Sequence, residues 1–211
     1  MSTAPARAFV RALALATLLA ACAACAACAQ AAPPALRDGD VIFHASRSAQ
    51  SLAIQRATGS RYSHMGVVLH RDGRAYVFEA VEPVRYTPLA QWIARGQGGH
   101  YVAKRLRAPP DAAQVQRLRA QAERLRGKHY DLGFAWSDER IYCSELVYKL
   151  YERAMGVRIG RLQRLGEFEL DDPAVKAKLR ERYGERVPLD EPVVSPASMF
   201  DSPLLETVAS G

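Results

Sequence analysis

Cysteine is nearly absent from the part of this chain that can fold. Of four cysteines, Cys22, Cys25 and Cys28 fall in an alanine-rich leader, and Cys143 alone lies beyond it. One thiol cannot build an internal disulfide framework, and no Cys-x-x-Cys pair follows residue 28 to start a zinc site. The histidines lack metal-ligand spacing, so neither a metal nor a cofactor is expected. Gly96, Gly98 and Gly99 have neither the preceding strand nor the following helix that a dinucleotide site requires, and no phosphate-cradling glycine loop occurs elsewhere. No internal repeat, low-complexity region or interdomain linker is visible after residue 35. A chain of 211 residues with 49% hydrophobic content therefore reads as one domain with a proper core.

Acidic residues are missing from the first 29 positions, where Arg7 and Arg11 precede an apolar run from Ala12 to Ala21. That run is too short for a membrane span, which needs about 20 apolar residues, and it reads as a secretory signal. Two cleavage readings stay open. Leu19-Ala20-Ala21-Cys22 resembles a lipobox, which would lipidate Cys22 and anchor the protein in a membrane. Ala27-Cys28-Ala29 is an A-x-A site that would release a soluble protein. Residues 30–36 read as a tether and 37–211 as the folded domain, exported to the periplasm or cell envelope.

Without Arg7 and Arg11 the 29 basic residues become 27 against 22 acidic ones, a mature charge of about +5. Such a charge suits weak attraction to anionic head groups or wall polymers. The basic residues are dispersed along helices without an aromatic–basic recognition motif, so nucleic acid is not an expected partner.

The periodicities describe an α+β domain. Arg37-Asp38-Gly39-Asp40 turns into a strand at Val41-Ile42-Phe43, and Ser48 caps a short helix that Gly59 ends. His64–Leu69 and Ala75–Val81 are strands, joined by a hairpin at Asp72-Gly73. Thr87 reads as a cap with Pro88 at the first position of a helix to Ala94. A third strand spans His100 to Leu106, and Asp111 caps an amphipathic helix to Arg126. Pro173–Tyr183 reads as a charged helix and Val193–Val208 as a proline-punctuated closing segment.

Cys143 sits where a polar loop, Ser137-Asp138-Glu139-Arg140, gives way to apolar residues at helical spacing. A helix start favours a thiolate, although free cysteine is most often a buried apolar residue. A thiolate nucleophile needs an imidazole, and the imidazole an acceptor on its other nitrogen. Only His64 combines the start of an apolar strand with a carboxylate across the hairpin, Glu79. Glu82 is the nearest competitor but lies past the strand.

Gly39-Asp40-Val41-Ile42, Tyr62-Ser63-His64-Met65-Gly66-Val67, Phe78-Glu79-Ala80, Tyr130-Asp131 and Tyr142-Cys143-Ser144-Glu145-Leu146 resemble the YiiX-like hydrolases. These are circularly permuted members of the papain-like NlpC superfamily, related to lecithin–retinol acyltransferase. The resemblance runs from about Arg37 to about Leu205. It implies a permuted papain-like fold, with an antiparallel sheet packed on helices and the nucleophile at a helix N-terminus. It also implies Cys143 as nucleophile, His64 as base and acid, Glu79 as the orienting residue, and an acyl-enzyme thioester. Tyr62 and Tyr130 are candidate hydroxyl donors to the oxyanion, beside the Cys143 backbone N–H. The expected activity is hydrolysis of an amide or ester in a cell-wall peptide or a lipid acyl group. A thiol acyltransferase and a non-catalytic envelope lipoprotein that binds a lipid or peptide are the alternatives.

Overall fold

The computed structural model describes residues 35–211. The signal reading, Cys22 and most of the tether lie outside the described residues. Leu36–Gly211 forms one compact unit of mixed α+β architecture.

The sheet grows from local turn chemistry. Strand β1 (Val41–His44) is followed by helix α1 (Ala49–Thr58), capped by the Ser48 side chain on Ser51 N. Strands β2 (His64–Arg71) and β3 (Arg74–Glu79) meet at Asp72-Gly73, both with positive φ (48° and 72°). That conformation matches the right-handed strand twist and gives a two-residue turn. Strand β4 (Arg85–Pro88) runs directly into helix α2 (Leu89–Arg95), and β5 (Val102–Leu106) follows. Helix α3 (Ala112–Leu125) starts in a full capping box from Asp111. The short strands β6 (His129–Tyr130) and β7 (Arg140–Ile141) pair in parallel just ahead of helix α4 (Cys143–Met155). Strand β8 (Leu162–Arg164), helix α5 (Pro173–Tyr183), strand β9 (Pro192–Val194), helix α6 (Pro196–Phe200) and strand β10 (Leu205–Ser210) complete the chain.

Six strands form one antiparallel sheet in the order β10-β5-β1-β2-β3-β4. Alternation sends Val41, Phe43, Val67, Leu69 and Phe78 to one face, where Leu118, Leu146, Leu150 and Tyr151 of α3 and α4 cover them. Ile42, Val68, Val77 and Ala103 face the other way and pack with Trp92 of α2. Helix α4 is buried on most sides, consistent with its nearly continuous apolar run.

Three expectations change. Thr87 caps nothing: it belongs to β4, Pro88 takes the cap position without a side-chain bond, and the Thr87 hydroxyl turns to a carboxylate. Ala80 and Val81 fall outside β3, which ends at Glu79. The closing segment carries an edge strand, because β10 satisfies the free edge of β5. Its irregular register, shifted between Thr207 and Ala209, hides the strand period from a reading of the sequence.

Candidate active site

Three elements meet at Cys143. Strand β2 starts at His64, β3 ends at Glu79, and α4 starts at Cys143 itself. The hairpin register pairs Val67 with Phe78, so Gly66 lies beside Glu79. A Cβ on Gly66 would stand 2.5 Å from Val77 Cγ1 and 2.7 Å from the Phe78 carbonyl. The absence of a side chain there lets β3 lie close and brings Glu79 to the imidazole.

His64 Nε2 donates to Glu79 Oε2 over 2.6 Å, which leaves Nδ1 as the nitrogen free to face the thiol. Burial opposes protonation of His64, but hydrogen bonding to Cys143 and Glu79 outweighs it and raises its pKa from 6.5 to about 9. The ring is thus held as imidazolium at neutral pH. Glu79 is fully buried. Burial would raise its pKa, yet the His64 bond and charge, the Thr87 hydroxyl and the Arg95 guanidinium together lower it to about 2. Its oxygens also accept from Thr87 Oγ1 (2.5 Å), Trp92 Nε1 (2.9 Å) and Arg95. A buried carboxylate is costly unless it is paired and hydrogen-bonded, and four donors meet that requirement.

The helix start is fastened from behind. Ser144 Oγ donates to the Val194 carbonyl (2.7 Å), and Val194 N donates to the Tyr142 hydroxyl (3.1 Å). Tyr142 N in turn donates to Glu145 Oε2 (3.3 Å). These contacts hold the first turn of α4, where backbone N–H groups lack intrahelical acceptors, against β9. The Cys143 side chain is 2% exposed.

Tyr130 is carried on β6 next to β7 and lines the same cleft as His64. Its hydroxyl accepts from Gln50 Nε2 (2.8 Å). Burial first, and then electrostatic interaction with Cys143, raise its pKa, so it keeps its proton and remains a donor. Tyr62 departs from the expectation. It stacks on Phe200 with ring centroids 4.1 Å apart, meets Phe43 edge-on, and lines neither cavity beside the thiol. It packs as a core aromatic, its ring held between Phe43 of strand β1 and Phe200 of helix α6 instead of lining the cleft. Glu82 is occupied elsewhere, accepting from His129 and from Tyr130 N.

The sequence reading missed Thr87, Trp92 and Arg95 around Glu79. It also missed His44, which stacks on Trp92 at 3.9 Å and lies across from His64 in the β1–β2 register. Burial lowers the His44 pKa to about 3, aided by the His64 charge, so it stays neutral. The register could have linked the two histidines, but nothing in the sequence pattern announces a helix delivering Trp92 and Arg95 to one carboxylate.

Two cavities flank the pair. Cys143 lines a chamber of about 680 Å³, open mouth included, between α1, α5 and β9. His64 and Tyr130 line a polar cleft of about 1590 Å³, also counted with its open mouth. Gln50 and Ile54 of α1 line both. Among the described residues no group of three or more His, Cys, Asp or Glu side chains is arranged to hold a metal ion.

Comparison with known proteins identifies the family. The chain is 54% identical over 171 residues to uncharacterized protein YiiX of Escherichia coli (strain K12), covering 81% of this chain and 85% of that protein. It also matches the crystal structure of metalloprotein yiiX from Escherichia coli O157:H7, with a TM-score of 0.81 and 54% identity. The match covers 83% of this chain and 97% of that one. Residues 35–209 match the family described as permuted papain-like amidase enzyme, YaeF/YiiX, C92 family. The chain belongs to this family of permuted papain-like amidases.

Proposed function

We propose that this chain is a thiol amidase that removes an apolar acyl group from an amine, with Cys143 as nucleophile, His64 as acid and base, and Glu79 as orienting acceptor. The thiolate attacks the amide carbonyl carbon, and a C–S bond forms. The oxyanion draws on the N–H groups at the start of α4 and on the Tyr130 hydroxyl. His64 passes its Nδ1 proton to the leaving nitrogen as the C–N bond breaks, leaving a thioester on Cys143. Water then gives a proton to His64 and attacks the thioester, releasing the carboxylic acid and restoring the ion pair.

The carrying observation is the chamber that Cys143 opens into. Its walls include Ala53, Ile54, Phe134, Leu179 and Val193, and its polar side chains are occupied by protein partners. Ser144 bonds Val194, Thr58 bonds Ile54 O, Ser195 caps α6, Gln50 bonds Tyr130, and Lys178 bonds Glu181. Arg182 lies over the Phe134 ring at 4.5 Å. An acyl chain gains by filling such a space, and a polar peptide side chain finds few open partners. This favours the acyl reading over the cell-wall peptide reading. Export to the envelope, through either cleavage site, is part of the same proposal.

Intact-mass labelling with acyl electrophiles of increasing chain length, beside peptidyl electrophiles, tests it. The expected result is an adduct at Cys143 that forms fastest with long acyl chains and is lost in His64→Ala. Ala57→Phe, which fills the chamber, is expected to slow long-chain labelling and spare an acetyl probe. Labelling no faster than in denatured protein would mean an inert thiol and a binding protein. A peptidyl preference would restore the wall-peptide substrate.

A further inference from the structure

The two cavities do not contribute equally to the reaction, and their division orients the substrate. Cys143 lines only the apolar chamber, and His64 lines only the polar cleft. The carbonyl carbon bonds to sulfur, so the acyl half belongs on the chamber side. The leaving nitrogen receives its proton from His64, so the amine half belongs in the cleft. Gln50 and Ile54 of α1, common to both, mark the seam where the scissile bond lies.

The cleft has a net positive lining. Arg47, Arg95 and Arg140 face it, with Glu82 as its acidic residue. Glu82 is already engaged by His129 and the Tyr130 backbone, and Arg95 by Glu79. Arg47 follows β1 and Arg140 opens β7; both are exposed, and among the described residues the nearest carboxylate influence is that of Glu82, which attracts Arg140 from beyond contact distance. Ser46 and Ser48 stand beside Arg47 and bond each other at 3.2 Å. We infer that the leaving amine carries an anionic group, a carboxylate or a phosphate, held by Arg47 and Arg140 while the acyl chain occupies the chamber. This rests on the amidase reading for its orientation. Guanidinium pairs recognise both anions through the same two-pronged hydrogen bonds.

The test uses matched dodecanoyl amides that differ only in the amine: glutamate, ethanolamine phosphate, glycinamide and a diamine. Binding to full-length Cys143→Ala protein is measured by calorimetry, and hydrolysis by the wild type is followed in parallel. An anionic amide is expected to bind about tenfold more tightly than glycinamide amide at low salt, with the diamine amide weakest. The advantage is expected to shrink at high salt and to vanish in Arg47→Gln/Arg140→Gln. The glutamate and phosphate arms tell the two anion sources apart. Equal affinity for anionic and neutral amides, or an anionic preference that survives the double substitution, would overturn the inference. A preserved anionic preference without hydrolysis would instead sink the amidase reading and leave the recognition site standing.

Discussion

Glu79 shows how much of the site depends on one side chain. It is placed without solvent among four donors, so its charge is maintained and it cannot rotate without leaving donors unpaired. Thr87→Val keeps the shape and removes one donor. The expected cost is about 1–3 kcal/mol, read as a lowered Tm together with slower turnover; an unchanged Tm would mean that Trp92 and Arg95 suffice. His64 gives a pH prediction. Its pKa is raised from 6.5 to about 9 in the folded chain, so its stabilising contribution is fully present below 6.5 and is lost as pH rises through about 9. That contribution is about 3 kcal/mol at most, and it belongs to the His64–Cys143–Glu79 group as a whole. In Cys143→Ala the hydrogen bond and electrostatic interaction that Cys143 makes with His64 disappear, and the imidazole is expected to titrate at lower pH by NMR. An unchanged titration curve would show that Cys143 does not couple to His64.

At the scale of elements, the β2–β3 hairpin sets the distance between His64 and Glu79, and α4 carries Cys143 at its N-terminus. Gly66 is the contact point, because a Cβ there would collide with Val77 and the Phe78 carbonyl. Gly66→Ala is expected to cost about 1–3 kcal/mol through overpacking and, by displacing Glu79, to lower kcat by about tenfold to a hundredfold. Chemical denaturation and steady-state kinetics on the same protein check both. A stability loss with normal kcat would mean that the hairpin can shift without moving Glu79 from His64. The hairpin was legible beforehand because Asp72-Gly73 needs positive φ at both positions and the flanking strands are apolar. Helix α2 was legible as a helix, but its purpose was hidden. Thr87-Pro88 looks like a cap locally, and only the sheet turns the Thr87 hydroxyl toward Glu79.

For the whole molecule, the described residues form a site whose parts come from across the chain: α1 and β2 early, α4 in the middle, α5 and β9 late. The proposed signal reading of residues 1–29 adds a separate prediction. Cys22→Ala is expected to shift the protein from the membrane fraction to the soluble one on cell fractionation, whereas unchanged partitioning would favour cleavage at Ala27-Cys28-Ala29. The sequence by itself determined the α+β class, most element positions, and the order His64, Glu79, Cys143, because turn residues, caps and apolar periods act over a few neighbours. It also singled out Cys143, since no other cysteine follows residue 28. Only the tertiary structure decided that Tyr62 packs in the core while Tyr130 reaches the cleft, and that Trp92, Thr87 and Arg95 share one carboxylate. It alone set the chamber lined by Cys143 beside the cleft lined by His64, with Gln50 and Ile54 shared between them. Those facts depend on contacts between residues far apart in the chain, whose side-chain directions follow from sheet register and helix docking, and no local pattern encodes them.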